Sequence, residues 1–139
     1  MTLRQKLINQ LMRDEGYRLK PYKCTAGKTT IGVGRNLDDV GLSEDEVMIL
    51  LSNDIDRVEK QCTDSFDFYK DLDDDRKTVV LNMCFNLGIN RLKMFKRTLD
   101  SVRRGDYKQA ALQMLESKWA RQVGARAIRL SKIMAGNKQ

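Results

Sequence analysis

Leu3, Leu7, Ile8, Leu11 and Met12 return every three or four positions, the spacing of one helix face, so residues 3–14 read as an amphipathic helix. Thr2 can cap it and Gly16 can end it, which leaves Glu15 at its C-terminal edge. The period then changes. Tyr17, Leu19, Tyr22, Thr29, Thr30, Ile31 and Val33 favour strands, and Pro21, Gly27, Gly32 and Gly34 punctuate them. Residues 17–36 therefore read as a small antiparallel sheet, too small to be stable without helices beside it. Ser43 and Glu46 form a capping box ahead of Val47, Leu50, Leu51, Ile55 and Val58, which predicts a long helix over 43–61. Beyond it the period is helical throughout. Val79, Val80, Met83, Cys84 and Leu87 define a helix closed by Gly88, and Phe95, Leu99 and Val102 one stopped by Gly105. Ala110, Ala111, Met114 and Leu115 continue the pattern, and Ala127, Ile128, Leu130 and Ile133 complete it before Gly136.

These elements predict an α+β fold: a small antiparallel sheet lobe (15–42) joined by the long helix (43–61) to a mainly helical lobe (62–139, with 1–14 packed into it). A cleft is expected between the lobes, and such clefts are favoured binding sites. The whole fits one domain of 139 residues. With 41% hydrophobic and 32% charged residues and a single Pro, the chain is a folding sequence and not a linker.

Charge and cysteines narrow the function. No apolar stretch approaches the roughly 20 residues of a membrane span. Leu7 to Met12 is broken by Asn9 and Gln10, so it lacks the apolar run of a secretion signal. The expectation is a chain made in the cytoplasm and held there until something releases it. Cys24, Cys62 and Cys84 are widely spaced, form no CxxC pair and have no His beside them, so neither a metal site nor any other cofactor is expected. Cys84 falls in an apolar pattern and reads as a core residue. The net charge of +7 suits an anionic partner: nucleic acid, an anionic membrane or the bacterial envelope. The basic stretches 91–104 and 118–132 lie in no DNA-binding motif, so they read as solvated faces and nucleic acid is not expected.

The chemistry concentrates at the junction of the first helix and the sheet. Glu15 follows Asp14 and precedes Gly16; Cys24 comes after eight intervening residues and Thr30 after five more, in the run DEGYRLKPYKCTAGKTTIGVG. This block resembles the phage-type lysozymes, the muramidases of T-even and lambdoid phages, in which a Glu, an Asp or Cys, and a Thr occur at this spacing. The resemblance extends through Asn53-Asp54, through 81–88 (LNMCFNLG), and through Ser117-Lys118-Trp119 to Arg126-Ala127.

The family resemblance implies hydrolysis of the bond between N-acetylmuramic acid and N-acetylglucosamine, with Glu15 as general acid. Breaking a glycosidic bond needs a carboxylic acid that stays protonated near neutral pH. The negative end of a helix and the neighbouring Asp14 both disfavour a carboxylate at Glu15. By resemblance Arg126 pairs with Glu15 and pushes the other way. Cys24 stands where the T-even type has Asp and many lambdoid relatives have Cys. As thiolate it could act as base or nucleophile; as thiol it could only place water. Lys20, Lys23 and Lys28 are nearby charges that could lower its pKa. Thr30 would help hold the attacking water.

Ile31-Gly32-Val33-Gly34 lacks the third glycine and the helix of a phosphate loop, so it reads as a hairpin with close backbone packing. Arg35 replaces a family His, and a pair with Asp54 would tie the sheet to the long helix. Tyr22, Leu37, Asn86, Phe95 and Arg126 are the expected substrate contacts, with Trp119 read as core. The partner implied is bacterial peptidoglycan, met by a monomer that leaves the host cytoplasm for the wall through a holin. The competing reading is a binding module of the same fold that has lost its activity.

Overall fold

Thr2 opens the first helix. Its hydroxyl accepts the Gln5 N–H at 3.1 Å while Gln5 Oε1 accepts the Thr2 N–H at 2.9 Å, so each satisfies the other's free backbone donor. In the computed structural model, which describes residues 1–137, this helix (α1) runs Leu3–Glu15. Gly16, at φ +85°, ends it by returning its N–H to the Met12 carbonyl. Its apolar face is solvent-exposed, from 40% at Leu11 to 83% at Leu3.

Three antiparallel strands follow, β1 (Arg18–Lys23), β2 (Thr29–Gly32) and β3 (Arg35–Asn36), in that spatial order. The register sets Tyr22 opposite Thr30 and Lys23 opposite Thr29, and slips between Arg18 and Tyr22. Pro21 lies in that slip. It has no N–H to give a ladder, and the outer position of β1 tolerates it. Asp38 fastens the far side of the hairpin by accepting the Thr29 N–H at 2.8 Å.

The long helix α2 begins at Glu44 through the expected capping box: Glu46 accepts the Ser43 N–H at 2.8 Å, and Ser43 Oγ accepts the Glu46 N–H at 3.2 Å. It continues to Ser65, past the expected end at 61, because Cys62 extends the buried stripe begun at Val58. Arg35 does reach this helix, but at Glu46 (2.7 Å) and not at Asp54, which instead accepts from Arg57 at 2.9 Å. Eight residues of helix separate the two carboxylates, about 12 Å along the axis, and β3 meets the first turn only.

Contacts divide the chain into two compact units, the first ending at Leu50 and the second beginning at Leu51, with the boundary inside α2. The second unit contains α3 (Asp74–Leu87), α4 (Ile89–Lys93), α5 (Lys96–Arg103), α6 (Tyr107–Glu116), α7 (Lys118–Val123) and α8 (Ala125–Ala135), after a 3₁₀ turn at Tyr69–Asp71. The result is an α+β protein, as expected. Two features were not expected. A short α4 fills the space between Gly88 and Met94, and Gly124, at φ +60°, splits the last helical stretch into α7 and α8. The core lies in this unit, centred on Val79, Leu92, Met114, Trp119, Ala127 and Met134. Cys84 is buried there as expected, and Cys62 with it.

Candidate active site

Strand alternation and hairpin register decide which site residues meet. Tyr22 pairs with Thr30 across β1 and β2, and Cys24, two residues after Tyr22, falls on the same face. The turn is closed by Cys24 N–H to the Lys28 carbonyl (3.0 Å) and Gly27 N–H to the Cys24 carbonyl (2.8 Å). Closing it aims backbone N–H groups at the Cys24 sulfur. The Lys28 and Ala26 amides hold its pKa below the ordinary thiol value, partial burial opposes them, and the Thr30 hydroxyl adds to the lowering.

The charges of Lys20, Lys23 and Lys28, the expected cause, are not among the groups that lower it, and two of these lysines have other partners. Lys23 Nζ donates to Thr29 Oγ1 at 2.6 Å and Lys28 Nζ to Asp39 Oδ1 at 3.3 Å. Thr30 is buried, and its hydroxyl donates to the Lys28 carbonyl at 2.9 Å. A hydroxyl has one proton, so Thr30 serves that carbonyl beside a thiol and can turn to the sulfur beside a thiolate. Cys24 and Thr30 thus form one polar unit.

Glu15 is the exposed last residue of α1, and its side chain lies against Gly34, the glycine that precedes β3. Leu37 is half-buried just after β3, where its N–H donates to the Thr29 carbonyl at 2.8 Å. One face of the Tyr22 ring is covered by the Arg18 guanidinium, 4.5 Å from the centroid.

The second unit gathers the remaining expected contacts. Trp119 is core, as expected, and its indole N–H donates to Asn86 Oδ1 at 2.7 Å. This fixes the Asn86 amide and turns its NH₂ group away from the tryptophan. Phe95 stands edge-on to Trp119, with centroids 6.3 Å apart, and lines a groove of about 720 Å³. Arg91, Lys96, Arg97 and Lys118 also line it, against the single carboxylate of Glu116. These cations lie in the stretches read from sequence as solvated faces; their convergence depends on how α4, α5 and α7 turn. Arg126 borders a smaller apolar groove and donates to Asn82 Oδ1 from Nε (2.9 Å) and Nη2 (2.7 Å). Cys62 and Cys84 are buried free thiols whose pKa values desolvation raises, so they are poor nucleophiles.

The family model for phage lysozymes matches residues 12–133. "Probable T4-type lysozyme 1" of Dictyostelium discoideum is 30% identical over 91% of each chain. A second protein of that organism, "Probable T4-type lysozyme 2", is 29% identical over 89% of this chain and 90% of its own. An "Endolysin" from Acyrthosiphon pisum secondary endosymbiont phage 1 is 26% identical over 87% of this chain and 82% of its own.

Proposed function

The chain belongs to the phage lysozyme family, and from that premise we propose that Glu15 is the general acid of a muramidase whose water is held by Cys24 and Thr30. Membership makes the protein a glycoside hydrolase of the lysozyme type, acting on peptidoglycan. The finer assignment rests above all on one observation: the hairpin joins Cys24 and Thr30 into a single polar unit within the matched segment.

Protonated Glu15 gives its proton to the glycosidic oxygen as the bond from that oxygen to the muramic acid C1 breaks. Water attacks C1 from the opposite face and loses a proton. The Cys24 thiolate, favoured by the Lys28 and Ala26 amides, accepts it, and Thr30 helps to hold the water. Tyr22, Leu37, Asn86, Phe95 and Arg126 bind the glycan. The Asn86 NH₂ group serves as donor, and the cations around Phe95 favour an anionic wall polymer.

The biological reading that goes with this chemistry is an endolysin causing host lysis. It acts as a monomer and passes from host cytoplasm to wall through a holin. Among the described residues no helix is long and apolar enough to cross a membrane, which suits release by a separate protein. Glu15→Gln tests the centre of the proposal. Release of reducing ends from peptidoglycan is expected to fall by about 100- to 10,000-fold, with the far-UV circular dichroism unchanged. Retained activity in a folded Glu15→Gln protein would remove Glu15 as the acid and leave the family's chemistry to another group.

A further inference from the structure

Gly32 and Gly34 flank Val33 between β2 and β3, and their backbones are nearly alike, at φ +69° and +70°. What surrounds them differs. A Cβ built on Gly32 meets nothing within 4 Å. One built on Gly34 falls 2.9 Å from Glu15 Oε2 and 3.1 Å from both its Cβ and its Cδ. Carbon atoms in comfortable contact stand about 3.5–4.0 Å apart, so a side chain at 34 overlaps the acid at three atoms. Rotation about the Glu15 side-chain bonds can move the carboxyl. It cannot move Glu15 Cβ, which is fixed to the last residue of α1.

We infer that Gly34 is a positioning residue for Glu15: its missing side chain is the space in which the carboxyl is seated. The inference rests on the reading of Glu15 as the acid. An alanine at 34 must either swing the carboxyl out or push the end of α1 away from the turn. Either displacement is of the ångström order that costs a well-aligned catalytic group about 100-fold.

The paired glycines supply their own control. Gly32→Ala incurs the strain of a left-handed backbone only, whereas Gly34→Ala incurs that strain and the overlap with Glu15. Both variants, with Glu15→Gln as reference, are made in the full chain and assayed at a temperature where each is folded. Gly34→Ala is expected to lower kcat about 100-fold with KM nearly unchanged, while Gly32→Ala stays within a few-fold of wild type. The carboxyl-carbon NMR resonance of Glu15 should move in Gly34→Ala and keep its wild-type position in Gly32→Ala.

Equal losses in the two variants, or wild-type kcat in Gly34→Ala, would overturn the inference. If Gly34→Ala does not fold, the double variant Gly34→Ala/Glu15→Gly, which removes the Glu15 Cβ together with the carboxyl, decides. Recovery of folding in the double variant supports the seat, and failure there as well refutes it. An active Glu15→Gln protein would defeat the acid reading instead, and the NMR comparison would still report on the seat.

Discussion

The sulfur of Cys24 is approached by the backbone N–H groups of Lys28 and Ala26, so the fold stabilises its anion with fixed donors that salt screens poorly. With iodoacetamide, Cys24 is expected to react first, with a midpoint below the roughly 8.5 of a free thiol. Cys62 and Cys84 should react only after unfolding, because both are buried and their pKa values are raised. Mass spectrometry of the alkylated peptides over a pH series checks both statements; simultaneous labelling of the three would refute them. Because the folded pKa is the lower one, the folded state favours the thiolate. That contribution to stability is complete above the unfolded value and lost as pH falls through the folded one. Cleavage by wild type should rise over the same pH range as alkylation if Cys24 accepts the proton, and full activity in Cys24→Ser would reduce its part to placing water. The position of Cys24 was legible from the spacing of the motif. Its activating groups were not. Amide direction is a property of the closed turn, and of the lysines that looked like the natural source of positive charge, Lys23 and Lys28 are taken up by Thr29 and Asp39.

At the scale of elements, Arg35 and Glu46 couple the end of the sheet to the start of α2. Glu46 accepts from the Arg35 guanidinium and from the Ser43 N–H, and these bonds, the arginine's first, hold its pKa at about 2. The folded value is below the unfolded one, so this group stabilises the fold above the ordinary carboxylate range, near pH 4.5, and the contribution disappears as pH falls toward 2. Both side chains are more than a third exposed, which keeps the effect modest and sensitive to salt. Glu46→Gln is expected to lower the thermal midpoint at pH 6, to converge with wild type by about pH 2, and to narrow the gap in high salt. A gap that stayed constant with pH would mean that helix capping, and not charge, is what the variant loses. The capping role of Glu46 could be read from the sequence; its second role could not. Choosing between Glu46 and Asp54 required knowing which turn of the helix faces β3. The far end of α2 was hidden for a related reason, since Cys62 counts as apolar only once its burial is known.

Across the whole molecule, burial is unequal. The buried hydrophobic residues run from Val58 to Met134, whereas Thr30 is the buried residue among the first fifty. The helical pattern announced most of the later helices. What it concealed was the break at Gly124, which no apolar spacing marks, and the role of Trp119 in holding Asn86, which requires α3 and α7 to be adjacent. The early sequence announced an amphipathic α1, and its apolar face is exposed. A three-stranded sheet of two to six residues per strand, without a buried apolar layer, opens at little cost. Native-state hydrogen exchange should therefore separate two classes of amide. Those of β1–β3 are expected to exchange through openings at least about 2 kcal/mol cheaper than global unfolding, roughly 30-fold in protection, and those of α3, α6 and α8 at the global limit. Leu92→Ala, at a fully buried position, should lower the second class by about 2–5 kcal/mol and leave the first nearly unchanged. Uniform protection across both classes would mean that the chain unfolds as one unit. Two classes would mean that the hairpin carrying Cys24 and Thr30 gains its order from elsewhere, and binding of a chitin oligosaccharide should then raise protection in β1–β3 more than in α6.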